Sequence, residues 1–328
     1  MESNVLKVNG RRKIAKFFVN YALYMLIIAL VIVYASLTPL FLSGQNIVSL
    51  LTNSAPLLVA SVGMTLILII AEIDLSIGSI AGVVASLWIL MSQADMNIVL
   101  ATLIAIMVGA AIGAVNAGLI VGLKINSFLA TLGMQIFLRG FVYIFTNGAQ
   151  ILMTDAVKQA NAAVKGVLFG LSPLLVFGLL IAIIMTLVYR YTAFGRKVQA
   201  VGCNKAASVK LGVNVNMITA LCFIICGTLA GVAGILTATN VGMVHPSNIG
   251  SGMEFVAITA CVLGGTSLLG GTGTIIPGTL IGVIFLNSIE NGLGLLGASA
   301  YAYPVVRGLV IYLAMLTDSF KHSMFVNK

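Results

Sequence analysis

Ile98-Val-Leu-Ala-Thr-Leu-Ile-Ala-Ile-Met-Val-Gly109-Ala-Ala-Ile-Gly113-Ala-Val-Asn116-Ala-Gly118 runs for 21 residues without a charge. A helix needs about 20 apolar residues to cross about 30 Å of hydrocarbon. Gly109 and Gly113 are one turn apart, as are Gly118 and Gly122 just beyond. Such pairs let helix backbones approach closely where lipid supplies no hydrophobic drive. Further pairs stand at Gly78–Gly82, Gly227–Gly231 and Gly278–Gly282. Tight packing explains them; a wall of a solute path is the sharper alternative.

The whole chain follows this pattern. Of 328 residues, 60% are hydrophobic and 8% charged. Roughly a quarter would be charged in a soluble globular protein. Ten apolar runs are predicted as helices: Phe17–Leu37, Ile47–Ile70, Ile77–Met91, Ile98–Gly118, Phe128–Phe145, Pro173–Tyr189, Val215–Ala238, Phe255–Leu269, Ile275–Ile289 and Tyr303–Leu316. The third, eighth, ninth and tenth are short, as re-entrant or broken helices are. The fold class is all-α, a polytopic transmembrane helical bundle.

Charge orients it. Lys7, Arg11, Arg12, Lys13 and Lys16 lead the first run, which is longer than a signal-peptide core and lacks a small-residue cleavage site. With that lead cytoplasmic, ten alternating spans place Lys124, Arg190, Arg196, Lys197, Lys205, Lys210, Lys321 and Lys328 inside. Only Lys158 and Lys165 fall outside. The positive-inside rule thus favours about ten spans with both termini cytoplasmic. Eight spans remain open if two short runs do not cross. The net charge of +9 sits in short loops, not in a nucleic-acid-binding patch.

Gly109-Ala-Ala-Ile-Gly113 matches Gly278-Thr-Leu-Ile-Gly282, and Arg139-Gly140-Phe-Val matches Arg307-Gly308-Leu-Val. Both offsets are near half the chain length. An odd number of spans per half makes this an inverted five-plus-five repeat, a transporter signature. Chance likeness of Gly-rich helices is the alternative.

Polar residues within apolar runs are functional candidates, because a buried charge is costly there. Glu72 and Asp74 lie in Ala71-Glu-Ile-Asp-Leu-Ser76-Ile-Gly78. If this segment turns inside the protein, its carboxylates bind hydroxyls or brace a helix; in a plain loop they are solvated. Arg139 and Arg307 either snorkel or pair with Glu254 or Glu290. Cys203, Cys222, Cys226 and Cys261 read as small buried core residues, with no metal site.

Thr192-Ala-Phe-Gly195-Arg196-Lys197-Val-Gln-Ala-Val-Gly202-Cys-Asn204-Lys205-Ala206-Ala-Ser-Val-Lys210-Leu-Gly212 is the largest basic cytoplasmic loop. Val201 and Gly202 are expected to break it. Asn204–Leu211 is predicted as a short helix with Asn204 as N-cap and Gly212 as its stop. A short surface helix between long spans suits docking to a soluble partner. No G-x-x-x-x-G-K-[ST], H-E-x-x-H or G-x-S-x-G occurs. Gly292-Leu-Gly294-Leu-Leu-Gly297 follows no strand and is no dinucleotide motif. The chain is therefore read as a transport subunit and not an enzyme.

Five blocks together resemble the membrane permease subunits of ABC sugar importers of the ribose, arabinose, xylose and galactose type. They are Ile73-Asp-Leu-Ser-Ile-Gly-Ser79, Asn126-Ser-Phe-Leu-Ala-Thr-Leu-Gly-Met134, Phe194-Gly-Arg-Lys-Val-Gln-Ala-Val-Gly202, Ala257-Ile-Thr-Ala-Cys-Val-Leu-Gly-Gly-Thr-Ser267 and Gly270-Gly-Thr-Gly273. The resemblance implies a transmembrane permease domain over 17–318, with a basic cytoplasmic segment 1–16 before it and a cytoplasmic tail 319–328 after it. It implies a second permease copy or paralogue, cytoplasmic ATPase subunits that carry ATP and Mg, an external solute-binding protein, and a bacterial plasma membrane. No cofactor is expected on this chain, and nucleic acid is not among its partners. Loop 190–214 becomes the ATPase-coupling element, with Gly195, Arg196, Lys197, Asn204, Lys205, Ala206, Lys210 and Gly212 as its candidates. A sugar path wants hydroxyls and amides; Asp74, Ser76, Asn116, Ser127, Thr131, Asn287 and Asn291 are the candidates. The sequence departs from the family where Val256 replaces a common acid and Glu72 a common Gly. An ion-gradient transporter using Glu72, Asp74, Glu254 and Glu290 is the alternative, and a non-transporting scaffold the third class.

Overall fold

Each of the ten apolar runs contains a helix in the computed structural model, which describes residues 25–155, 157, 158, 171–299 and 301–326. The basic lead from Lys7 to Lys16, residues 17–24 of the first run, Lys165 and Lys328 lie outside the described residues. The elements are α1 (Met25–Leu37), α2 (Gly44–Ile69), α3 (Ile77–Gln93), α4 (Ile98–Ala117), α5 (Ser127–Thr146), α6 (Pro173–Tyr191), α7 (Ala193–Cys203), α8 (Lys205–Lys210), α9 (Val215–Val241), α10 (Met253–Leu263), α11 (Leu280–Leu295) and α12 (Ala302–Val326). A π turn at Gly118–Gly122 extends α4, and another at Ile275–Thr279 leads into α11. Among the described residues, one two-residue antiparallel pair joins β1 (Ile151–Leu152) to β2 (Met243–Val244). Among the described residues, six helices are long and apolar enough to cross a membrane: α2, α4 with its extension, α5, α6, α9, and α11 with its lead-in.

Local chemistry sets the boundaries. Asn97 accepts from Val99 N and Leu100 N to start α4, and Asn126 accepts from Phe128 N to start α5. Pro173 occupies the first turn of α6, where its missing N–H costs nothing. Asn214 caps α9, and Gly242 in the left-handed region ends it.

Two sequence expectations change. The ninth run is not short, because its helix continues past Ile289 to Leu295 and makes 21 residues with its lead-in, whereas the tenth keeps a short apolar stretch, Ala302–Leu313, although α12 runs on through polar residues to Val326. The eighth shrinks to 11 residues: positive φ at Gly265, Gly270 and Gly271 turns the chain where a helix was expected to reach Leu269.

The chain divides into two compact units, 48–287 and the pair of segments 1–47 with 288–328. In the larger unit α2 and α9 are the most enclosed spans, 83% and 72% buried, against 22% for α4, α5 and α6. Glycine makes the enclosure close. A Cβ on Gly227 would lie 2.6 Å from the Gly109 carbonyl oxygen, and one on Gly113 would lie 2.5 Å from that of Phe223. The Gly109–Gly113 and Gly227–Gly231 pairs thus lock α4 onto α9. In the smaller unit Tyr34 stacks on Phe41 with ring centroids 5.2 Å apart and donates to the Ile289 carbonyl at 3.2 Å. There Arg307 Nε donates to Glu290 Oε1 at 3.0 Å, the pairing read as one of the options for Arg307.

Gly227→Leu should lower the melting temperature in detergent by several degrees, since overpacking costs about 1–3 kcal/mol. Gly118→Leu, with nothing within 4 Å of its Cβ position, should leave that temperature near the parent's. A thermal unfolding assay on both variants checks the contrast.

Candidate functional site

α2 stops at Ile69, and Ala71 takes φ 57°. Residues 72–76 then run without helical structure before α3 begins. This is the buried alternative for the Asp74 segment. Asp74, Ser76, Asn116 and Thr131 are fully buried, and Ser127 nearly so. Asp74 Oδ1 accepts from Ser76 N at 2.9 Å and Ser76 Oγ at 2.6 Å. Asn116 Nδ2, from α4, donates to Ser76 Oγ at 2.8 Å. Asp74 Oδ2 is buried beside Cys226 of α9 and has no hydrogen-bond partner among the described residues. Cys226 is the twelfth residue of a 27-residue helix, so it lies roughly 17 Å along α9. The segment therefore sits deep among the spanning helices.

A non-helical backbone at that depth must find partners within the protein. α5 supplies them. Leu75 N donates to Thr131 Oγ1 at 3.0 Å and Ile73 N to Ser127 Oγ at 3.3 Å. Ser127 and Thr131 are four residues apart, on one face of the helix. Five of the seven candidate path residues thus form one network. Asn287 and Asn291 do not join it: Asn287 donates to Ser54 Oγ at 2.8 Å, and Asn291 exchanges two 2.9 Å amide bonds with Asn46.

A second buried carboxylate lies at the start of α10. Glu254 accepts from Gln135 Nε2 at 2.7 Å, and Arg139 Nη1 donates to the Ile249 carbonyl at 2.7 Å beside it. Gly78, in the first turn of α3, packs against the Gly250 carbonyl and the Glu254 side chain with no room for a Cβ. The first turns of α3 and α10 thereby meet. Gln135 was missed in the sequence, although it is the one amide within the apolar run Phe128–Phe145.

The basic loop forms two helices. Thr192 caps α7 at Gly195 N. Val201 and Gly202 do not break this helix, contrary to expectation. Gly202 is small because a Cβ would overlap the Ile69 carbonyl oxygen, and the break falls at Asn204, whose φ is −164°. Asn204 Oδ1 accepts from Ala207 N at 2.9 Å to cap α8, and Gly212 ends it at φ 77°, as the sequence predicts. Val198 and Val201 face inward, while Arg196, Lys197, Asn204, Ala206, Lys210 and Gly212 are exposed. Gly195 is packed against the Tyr189 carbonyl and offers no surface. Lys205 turns back to form an ion pair with Glu72. Val209 and Leu211 add exposed apolar area to this basic face. Cys203 is exposed here, unlike the buried Cys222, Cys226 and Cys261, so only three of the four cysteines are core residues.

Thr131→Val keeps shape but strands Leu75 N, which should cost about 1–3 kcal/mol of stability. Ser127→Ala, which loses a longer bond, should cost less. Chemical or thermal unfolding of the purified chain measures both; two variants as stable as the parent would dissolve the network's structural role.

A family profile described as "Branched-chain amino acid transport system / permease component" matches residues 46–315. The Escherichia coli K12 ribose import permease protein RbsC is 34% identical over 322 residues, covering 96% of this chain and 98% of its own. The autoinducer 2 import system permease protein LsrC of Enterobacter sp. strain 638 is 37% identical over 296 residues, covering 90% and 85%. No solved structure matches. The chain is a multi-pass membrane protein of that permease-component family, and its kinship with ribose and autoinducer 2 import permeases makes good the likeness to the permease subunits of ABC sugar importers.

Proposed function

We propose that the chain forms the translocation path of an ATP-driven importer for a small polyhydroxylated solute of the pentose or hexose class. The observation that carries this reading is the near-full-length kinship with a ribose import permease. In this reading a separate cytoplasmic ATPase, loaded with ATP and Mg, docks on α7 and α8. An external binding protein delivers the solute, and a second permease copy or paralogue completes the path. The exposed basic residues Arg196, Lys197 and Lys210, beside the apolar Val209 and Leu211, support α7 and α8 as the docking face. Ten spans, cytoplasmic termini and a five-plus-five inverted repeat complete the topology in a bacterial plasma membrane. In support of the repeat, a short helix follows a non-helical segment at both α3 and α10.

The buried network supports a neutral solute. Asp74, Ser76, Asn116 and Thr131 present hydroxyl and amide chemistry around a carboxylate that already has donors. An ion-driven carrier is less well supported, since Glu72 and Glu290 are already paired with Lys205 and Arg307.

Proteoliposomes holding the permease with its ATPase and binding protein should accumulate the solute only when ATP is hydrolysed, and should go on doing so when ion gradients are collapsed. Arg196→Glu combined with Lys197→Glu should abolish copurification of the ATPase while the melting temperature stays near the parent's. Uptake that follows a proton or sodium gradient without ATP would overturn the reading.

A further inference from the structure

The end of α2 touches the basic helices at two kinds of contact. The first is backbone on backbone. Gly202 of α7 packs on the Ile69 carbonyl, and that same oxygen accepts from Gly271 N at 2.8 Å. Gly270 packs against Ala71 and the Gly202 carbonyl. Contacts of this kind resist compression, so α7 can push on the end of α2. They offer little resistance to separation.

The second contact is the ion pair of Glu72 with Lys205, the first residue of α8. The Glu72 side chain is only 15% exposed, against 46% for Lys205. A carboxylate so enclosed is less screened than a surface pair, and removing its partner leaves a charge poorly solvated. The pair therefore resists pulling as well as pushing.

Glu72 also opens the buried segment. Two residues on, Asp74 holds Ser76; Ile73 and Leu75 are bonded to α5, and Ser76 to Asn116 of α4. An extended run from Glu72 to Ser76 spans at most about 14 Å. One end of this short run is thus tied to the cytoplasmic helix α8 and the other to the polar network at the start of α3.

We propose that Glu72 is a positioning residue that carries outward movement of α7 and α8 to the Asp74–Ser76 network through its ion pair with Lys205. The inference rests on the transport reading above and deepens it. Gly202 supplies the push of the cycle and Glu72 the pull. Losing the pair leaves docking and ATP hydrolysis in place but breaks their link to the solute path.

The test uses the complete importer in proteoliposomes and reads solute imported per ATP hydrolysed. Glu72→Gln should retain the ATPase through purification and retain hydrolysis, while this ratio falls about tenfold, the upper part of the range for coupling mutations. The charge-reversed pair Glu72→Lys with Lys205→Glu should recover the ratio to within about threefold of the parent, and exceed Glu72→Lys alone. A ratio unchanged in Glu72→Gln, or a reversed pair no better than Glu72→Lys, overturns the inference. Loss of the ATPase from Glu72→Gln also overturns it, because the pair would then serve docking. If the unaltered complex imports without ATP, the transport reading itself falls and takes this inference with it.

Discussion

A peptide group that leaves a helix inside a low-dielectric interior has no water to bind, and an unpaired one costs several kcal/mol. The segment from Glu72 to Ser76 is where this chain meets that demand. Its buried N–H groups at Ile73 and Leu75 find hydroxyls on α5, one turn apart. That requirement places α5 beside the start of α3. Asn116 then holds Ser76 from α4, and Asp74 takes the two donors of Ser76. Three helices, α3, α4 and α5, are positioned by the polar needs of one short stretch. Apolar packing alone would not specify this register, because lipid and protein side chains are equally good solvents for a leucine.

Close approach of α9 completes the arrangement. Gly109, Gly113 and Gly227 meet facing backbone at distances that admit no Cβ, and Cys226, on the same helix as Gly227, lies beside Asp74. The second buried acid follows similar logic. Glu254 lies in the first turn of α10, a helix N-terminus where negative charge is favoured, and Gln135 donates to it. Gly78 and Gly250 let the starts of α3 and α10 touch. Two short helices that begin within the protein thus come with fixed carboxylates, Asp74 held by Ser76 of its own segment and Glu254 by Gln135 of α5.

Much of this was legible in the sequence, for reasons tied to particular residues. Long uncharged runs locate helices because no other backbone arrangement survives between water-poor walls. Asn204 and Gly212 announced α8 because caps act locally, over three or four residues. Gly202 misled for the opposite reason: a glycine that relieves a tertiary clash with Ile69 looks, in sequence, like one that breaks a helix. Leu269 fell outside α10 because Gly265 takes a left-handed φ of 92° and the turn at Gly270 closes onto Ala71 and Gly202. The hydroxyl and amide candidates were visible as polar residues in apolar runs. Their division into a network around Asp74 and separate pairs at Asn287 and Asn291 was not, since partners such as Ser54 and Asn46 are more than two hundred residues away.

The distribution of charge bears on what such a path can carry. A free amino acid brings an ammonium and a carboxylate, and each would need a fixed opposite charge or a helix terminus to replace its hydration. One oxygen of each buried acid already has a donor: Ser76 for Asp74 Oδ1, Gln135 for Glu254 Oε1. The nearby cation, Arg139, donates to the Ile249 carbonyl. A sugar makes a different demand. Its hydroxyls both donate and accept, so they exchange readily with side-chain hydroxyls and amides that do the same. Passage then requires no ion to be stripped of water. A path of this chemistry can bind weakly at each point and still release, which suits the proposal that a separate ATPase supplies the driving force.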